Sequence, residues 1–208
     1  SVTLLLGDPF LRTQYVRAQV EHLLAPEEQS TAWHKFDLHD VSVKDALTQV
    51  LTVPFLATKQ LIVLQHVESC SDSEARTLTS ALGKCPAFSY VILDSDTLPK
   101  RSHLYAWCRQ YAQVKECAQL GEEQAFRWLK GELEHARIDV TMAQAQYIWQ
   151  RCGENPFIVQ QAIEKLSLHC TAQTTVSQEM IDQLVEEVYV TDRFAISNAL
   201  GRKDAYQA

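Results

Sequence analysis

The sequence predicts an α/β domain built on a parallel sheet, followed by a small all-α domain. Two observations predict this. Through the first 120 of the 208 residues, short apolar runs alternate with segments whose apolar residues fall at helical spacing. After Gly121 the short runs stop and only the helical spacing continues. The expected strands are residues 2–6, 33–38, 61–65, 90–93 and 114–117, each short and apolar, as parallel strands buried on both faces should be. The expected helices between them are 10–24, 43–51, 73–82 and 101–111. In the first, Leu11, Tyr15, Ala18 and Leu23 would form one apolar stripe, with Asp8 as N-cap and Pro9 at the first helical position. Strand–helix–strand repeated in this way implies right-handed crossovers.

The second domain begins with an acidic start to a helix over 122–136, with Phe126, Leu129 and Leu133 on one face. A helix over 141–151 buries Ala145, Ile148 and Trp149, and Cys152-Gly153-Glu154-Asn155-Pro156 reads as its stop. A third helix, 157–169, turns Ile158, Ala162, Ile163 and Leu166 inward. Residues 175–179 launch a fourth, capped by Ser177 without a full capping box, and 192–200 reads as one more helix.

Composition excludes several classes. Hydrophobic residues make up 46% and charged residues 22%, and no apolar run reaches the roughly 18 residues of a membrane span. The N-terminus has no basic region and cleavage site of a signal peptide, so export is not expected. A formal charge of −7 argues against tight, phosphate-driven DNA binding by this chain alone. The six cysteines form no C-x-x-C and read as reduced thiols. The seven histidines form no H-E-x-x-H and no i, i+4 pair, so a zinc site would need convergence from distant positions.

The first strand leads into Gly7-Asp8-Pro9, where a P-loop NTPase would carry G-x-x-x-x-G-K-[ST]. Lys and Ser/Thr are missing at that spacing, and the Asp8 carboxylate would repel a triphosphate. The frame of a nucleotide-binding fold is expected without its phosphate site. Asp94-Ser95-Asp96 ends the fourth strand, where an ATPase holds Mg²⁺, but these acids more simply cap the following turn. Nothing resembles G-x-S-x-G or a reactive-cysteine context. The connection into the third strand is different: Pro54 is followed by Phe55 and Leu56 side by side. Neighbours cannot both face one core on regular structure, so either one or both are exposed as a docking anchor, or the segment tucks both beneath the sheet.

Four segments in order resemble the delta subunit of the bacterial DNA polymerase III clamp loader. Residues 4–11 resemble its opening strand and degenerate phosphate loop, and 51–64 the segment bearing its clamp-contacting pair. Gly153-Glu154-Asn155-Pro156 through Leu168 resembles the second domain's signature, a Gly-Asn turn and a helix ending E-K-L-x-L, and residues 193–200 the helix opening a third domain. The resemblance implies an AAA+ α/β domain over 1–120 with a clamp-binding element, a small helical lid domain over 121–190, and at 191–208 the start of a collar domain that this chain does not complete. It implies no catalysis, cofactor or metal of the chain's own, within a DNA-directed DNA polymerase holoenzyme whose nucleotidyl transfer lies in other subunits.

The implied role is to open the ring-shaped sliding clamp (the beta subunit) for loading onto primed DNA during chromosomal replication. Gamma/tau and delta-prime would be partners through the third domain, and DNA would be met only within the complex. No membrane is involved, and the location would be cytoplasmic. Phe55 and Leu56 would be the clamp-binding wedge, supported by Pro54, Thr58 and Lys59, in the order Phe-Leu where related sequences often read Leu-Phe. The alternatives are an AAA+-like ATPase with an unorthodox site at Asp94 and Asp96, and a delta-prime-type stator. The first lacks the Lys and Ser/Thr, and the second should carry a cysteine zinc module and an S-R-C tripeptide, which do not occur. An unrelated two-domain scaffold would have no reason to match at four places in order.

Overall fold

In a computed structural model describing residues 1–118, 121–170 and 176–187, the chain divides into two compact units, Ser1–Gln119 and Leu120–Ala208. The first is one parallel five-stranded sheet: β1 (Val2–Gly7), β2 (Trp33–Asp37), β3 (Gln60–Gln65), β4 (Ser89–Ser95) and β5 (Gln113–Cys117), in spatial order β2-β3-β4-β1-β5. Each strand starts or ends within two residues of its expected span. The helices are α1 (Pro9–Leu23), α2 (Gln29–Ala32), α3 (Val43–Leu51), α4 (Asp72–Leu82) and α5 (His103–Tyr111). The four-residue α2 and a 3₁₀ turn at Val67–Ser69 have no periodic signal in the sequence.

Strand alternation sorts the core onto two faces. Leu4, Ile62, Leu64, Val91 and Leu93 face α3, α4 and α5, packing with Val50, Leu78 and Leu104. Leu5, Leu61, Val63 and Ile92 face the other way, against Val20, Leu24 and Ala32. Burying each such side chain contributes about 1.5–3 kcal/mol. The central strands are covered on both faces, as expected, whereas β2 and β5 are partly exposed and Trp33 stands open. They are the sheet's edges, with a neighbouring strand on one side only.

Helix α1 departs from its expected stripe. Its fully buried side chains are Phe10, Val20 and Arg12, while Ala18 is exposed and Tyr15 and Leu23 only pack partly. A cation on the inner face breaks the apolar spacing from which the stripe was read. Asp8 caps α1 as expected, while two caps not read from the sequence set other helix starts: Ser71 and Glu74 form a capping box on α4, and the Ser102 hydroxyl accepts from Tyr105 N–H, starting α5 at His103 rather than at 101.

The second unit is helical among the described residues: α6 (Glu122–His135), α7 (Met142–Arg151), α8 (Pro156–His169) and α9 (Gln178–Leu184). Leu129, Leu133, Ala145, Ile148, Trp149, Ala162, Ile163 and Leu166 share one core as expected, joined by Val159. The α7–α8 turn takes two consecutive left-handed residues, Gly153 (φ 62°) and Glu154 (φ 57°), before Asn155 caps α8. Ser177 caps α9 through Met180 N–H. The helix expected over 192–200 and the segment 191–208 lie outside the described residues.

Candidate functional site

Two features could carry function, at opposite edges of the sheet. The first is the turn after β1, at the carboxyl edge, where parallel α/β sheets bind ligands. A phosphate loop works by aiming free backbone N–H groups at an anion. Here those groups are already occupied: Gly7 N–H donates to Asp96 O (3.1 Å), Asp8 N–H to Cys117 O (2.7 Å), and Arg12 N–H to Asp8 O (3.1 Å). Leu11 N–H donates to the Asp8 carboxylate (3.0 Å), and Pro9 has no N–H to offer. The Asp8 side chain therefore stands at the helix N-terminus in the place of a phosphate.

Arg12 stands at the position of the motif's second glycine, and its buried guanidinium extends across the site. Its Nε donates to Gly7 O (2.9 Å) and its terminal nitrogens pair with Asp94 and Asp96. The two acids thus share one tethered cation where an ATPase would hold Mg²⁺. They do not simply cap the following turn, as the sequence suggested, because an arginine one helical turn into α1 reaches them. Cysteine chemistry is also remote here. Burial pushes the thiols of Cys70 and Cys152 up to about 11 and that of Cys108 up to about 12, leaving almost no thiolate at neutral pH. Titration of the chain with a fluorescent ATP analogue and Mg²⁺ is expected to give no saturable binding in the micromolar range. Saturation there would contradict this and restore the ATPase reading.

The second feature is the connection from α3 to β3, at the amino edge. Phe55 is 96% exposed and Leu56 67%, and Leu51 and Val53 are open beside them. Pro54 and Ala57 are half-buried, and Ala57 packs against the core of the α1 face. The flanking residues hold on to the domain while the pair between them points to solvent. Thr58 and Lys59 are exposed, and the Lys59 ammonium lies over the Tyr90 ring, 5.6 Å from its centre. Of the two placements left open by the sequence, the structure takes the exposed one for both side chains.

The residue that the sequence reading missed is Gln60. It is fully buried, and its amide nitrogen donates to Gln49 O (3.0 Å), Thr52 O (2.9 Å) and Ser89 Oγ (2.9 Å). Ser89 Oγ in turn donates to Val50 O (2.7 Å). The orphan carbonyls at the C-terminus of α3 are thereby tied to β3 and β4. A polar residue opening an otherwise apolar strand was the available signal. Gln60→Leu is expected to leave Thr52 O without a partner and Ser89 Oγ without its donor, costing about 1–3 kcal/mol. It should also speed amide hydrogen exchange in residues 50–59, and unchanged exchange there would show that the loop is held by other contacts.

The family model described as DNA polymerase III, delta subunit, matches residues 4–118. The Bacillus subtilis DNA clamp loader delta protein (YqeN) superposes with a TM-score of 0.63 at 17% identity, over 98% of this chain and 64% of that one. This chain thus spans less than two thirds of that protein's length. The Thermotoga maritima RuvB Holliday junction branch migration motor superposes at 0.59 with 12% identity, over 97% of this chain and 69% of that one. Domain III of the Thermotoga maritima replication initiation protein DnaA does so at 0.53 with 12% identity, over 89% and 85%. At these identities the superpositions establish a shared AAA+-like fold. Comparison with curated protein sequences gives no match. With the family model covering more than half of its length, the chain belongs to the DNA polymerase III delta subunit family.

Proposed function

We propose that this chain acts in replication as a non-catalytic clamp-loader subunit, engaging the sliding clamp with Phe55 and Leu56 and favouring its open form. The observation that carries this reading is the outward pair on an anchored loop, in a chain of the delta family. An apolar pair that meets water in the free protein gains most when a partner supplies a pocket. Pro54 and the Gln60 hydrogen bonds restrain the loop beforehand, so little conformational entropy is lost on docking.

Opening a closed ring requires only that the wedge bind the open form better than the closed form. No bond is made or broken by this chain in this reading, and the pairing of Arg12 with Asp94 and Asp96 supports a chain without a nucleotide-driven switch of its own. ATP-driven switching would come from gamma/tau, with delta-prime as a further partner, and primed DNA would be met in the assembled loader. The role belongs where the chromosome is copied, in the cytoplasm, with no membrane partner. The test is surface plasmon resonance of the chain over the immobilised clamp of the same organism. Saturable one-to-one binding is expected, and absence of binding at tens of micromolar would overturn the reading.

A further inference from the structure

We propose that Asp37, His39 and His66 form a binding site for a divalent transition-metal ion of the Zn²⁺ class at the carboxyl edge of the sheet. Parallel pairing sets Asp37 of β2 abreast of Gln65 of β3, so the first residue after β3 and the second after β2 emerge side by side. Those residues are His66 and His39. His66 Nδ1 lies 2.8 Å and His39 Nδ1 3.3 Å from the same oxygen, Asp37 Oδ1, and all three donor atoms fall within 4.8 Å of one another. Among the described residues they are one group of metal-ligand type.

The spacing suits a small tetrahedral ion. Bonds of about 2.0–2.1 Å place neighbouring ligand atoms roughly 3.3 Å apart. The Asp37–His39 separation already has this value, and the Asp37–His66 separation needs to open by about half an ångström. Two imidazoles and one carboxylate form a borderline donor set that favours Zn²⁺, Cu²⁺ or Ni²⁺ over Mg²⁺ or Ca²⁺, which prefer all-oxygen sites.

The backbone holds each donor in place. Asp37 O accepts from Asp40 N–H and Val41 N–H, closing the turn that carries His39, and His39 N–H donates to Asp37 Oδ1 (2.9 Å). His66 is left-handed (φ 56°, ψ 43°), a conformation costly for a non-glycine residue, and its carbonyl is held by Ser69. The two rings stack with centres 4.4 Å apart. The side chains of His39, His66 and Asp37 are 57%, 38% and 33% exposed, which leaves a coordination position open to water or to a donor from a partner. The site lies at the opposite end of β3 from the Phe55–Leu56 loop, so it stands or falls independently of clamp engagement.

Calorimetric titration of the intact chain with ZnCl₂, paralleled by Co²⁺ absorption spectra, tests the proposal. One ion per chain is expected, with a Co²⁺ spectrum free of thiolate charge-transfer bands. His39→Ala and His66→Ala should each weaken binding at least about tenfold, since even outer-shell changes at metal sites cost about 10–100-fold. Asp37→Asn, which retains the turn-capping oxygen, should do the same with circular dichroism unchanged. Absence of saturable Zn²⁺ binding, thiolate bands with Co²⁺, or variants that bind like the parent would each overturn the site.

Discussion

Replacing Phe55 and Leu56 together by alanine is expected to lower affinity for the sliding clamp by about 10²–10⁴. Full burial of each side chain is worth roughly 1.5–3 kcal/mol, so losing both removes about 3–6 kcal/mol, at about 1.4 kcal/mol per tenfold. Stability should barely change, because neither side chain belongs to a core cluster. Surface plasmon resonance measures the first quantity, and thermal melting with circular dichroism the second. A folded double variant that binds at full strength would move the wedge elsewhere. An unfolded one would show that the pair supports the domain after all.

Gly7→Ala is expected to destabilise the α/β unit by roughly 3–5 kcal/mol, a large part of a typical domain's 5–15 kcal/mol. Two costs add. Gly7 has φ +104°, a conformation that costs L-residues about 1–3 kcal/mol. A Cβ there would also meet Cys117 O at 2.3 Å, and because that oxygen is backbone of β5, relief requires moving a strand. The same oxygen accepts from Asp8 N–H, so the shift would also disturb the turn that closes the phosphate site. Urea unfolding read by circular dichroism would report the loss as a lowered midpoint. A variant within about 0.5 kcal/mol of the parent would show that the turn relaxes freely.

The five strands and eight of the nine described α-helices could be read from the sequence because their signals are local. A buried parallel strand is a short apolar run, as at Gln60–Gln65, and a helix start is a capping side chain, as at Asp8 or Ser177. The failed phosphate loop was equally legible, since Gly7-Asp8-Pro9 lacks the required residue types whatever the fold around it. The exposure of Phe55 and Leu56 was not, because two adjacent apolar residues fit a buried or an open loop equally well until Ala57 and Gln60 are seen to anchor it.

The sequence by itself determined the class of fold, the order of most of its elements and the lack of a phosphate-loop motif, all properties of neighbouring residues. Only the tertiary structure decided what long-range pairing creates. Arg12 meets acids 82 and 84 positions away because β1 and β4 are neighbours in the sheet. His66 meets Asp37, 29 positions away, because the register of β2 on β3 ends both strands at one edge. Contacts of this kind depend on strand order and register, and neither is written in the local pattern of side chains.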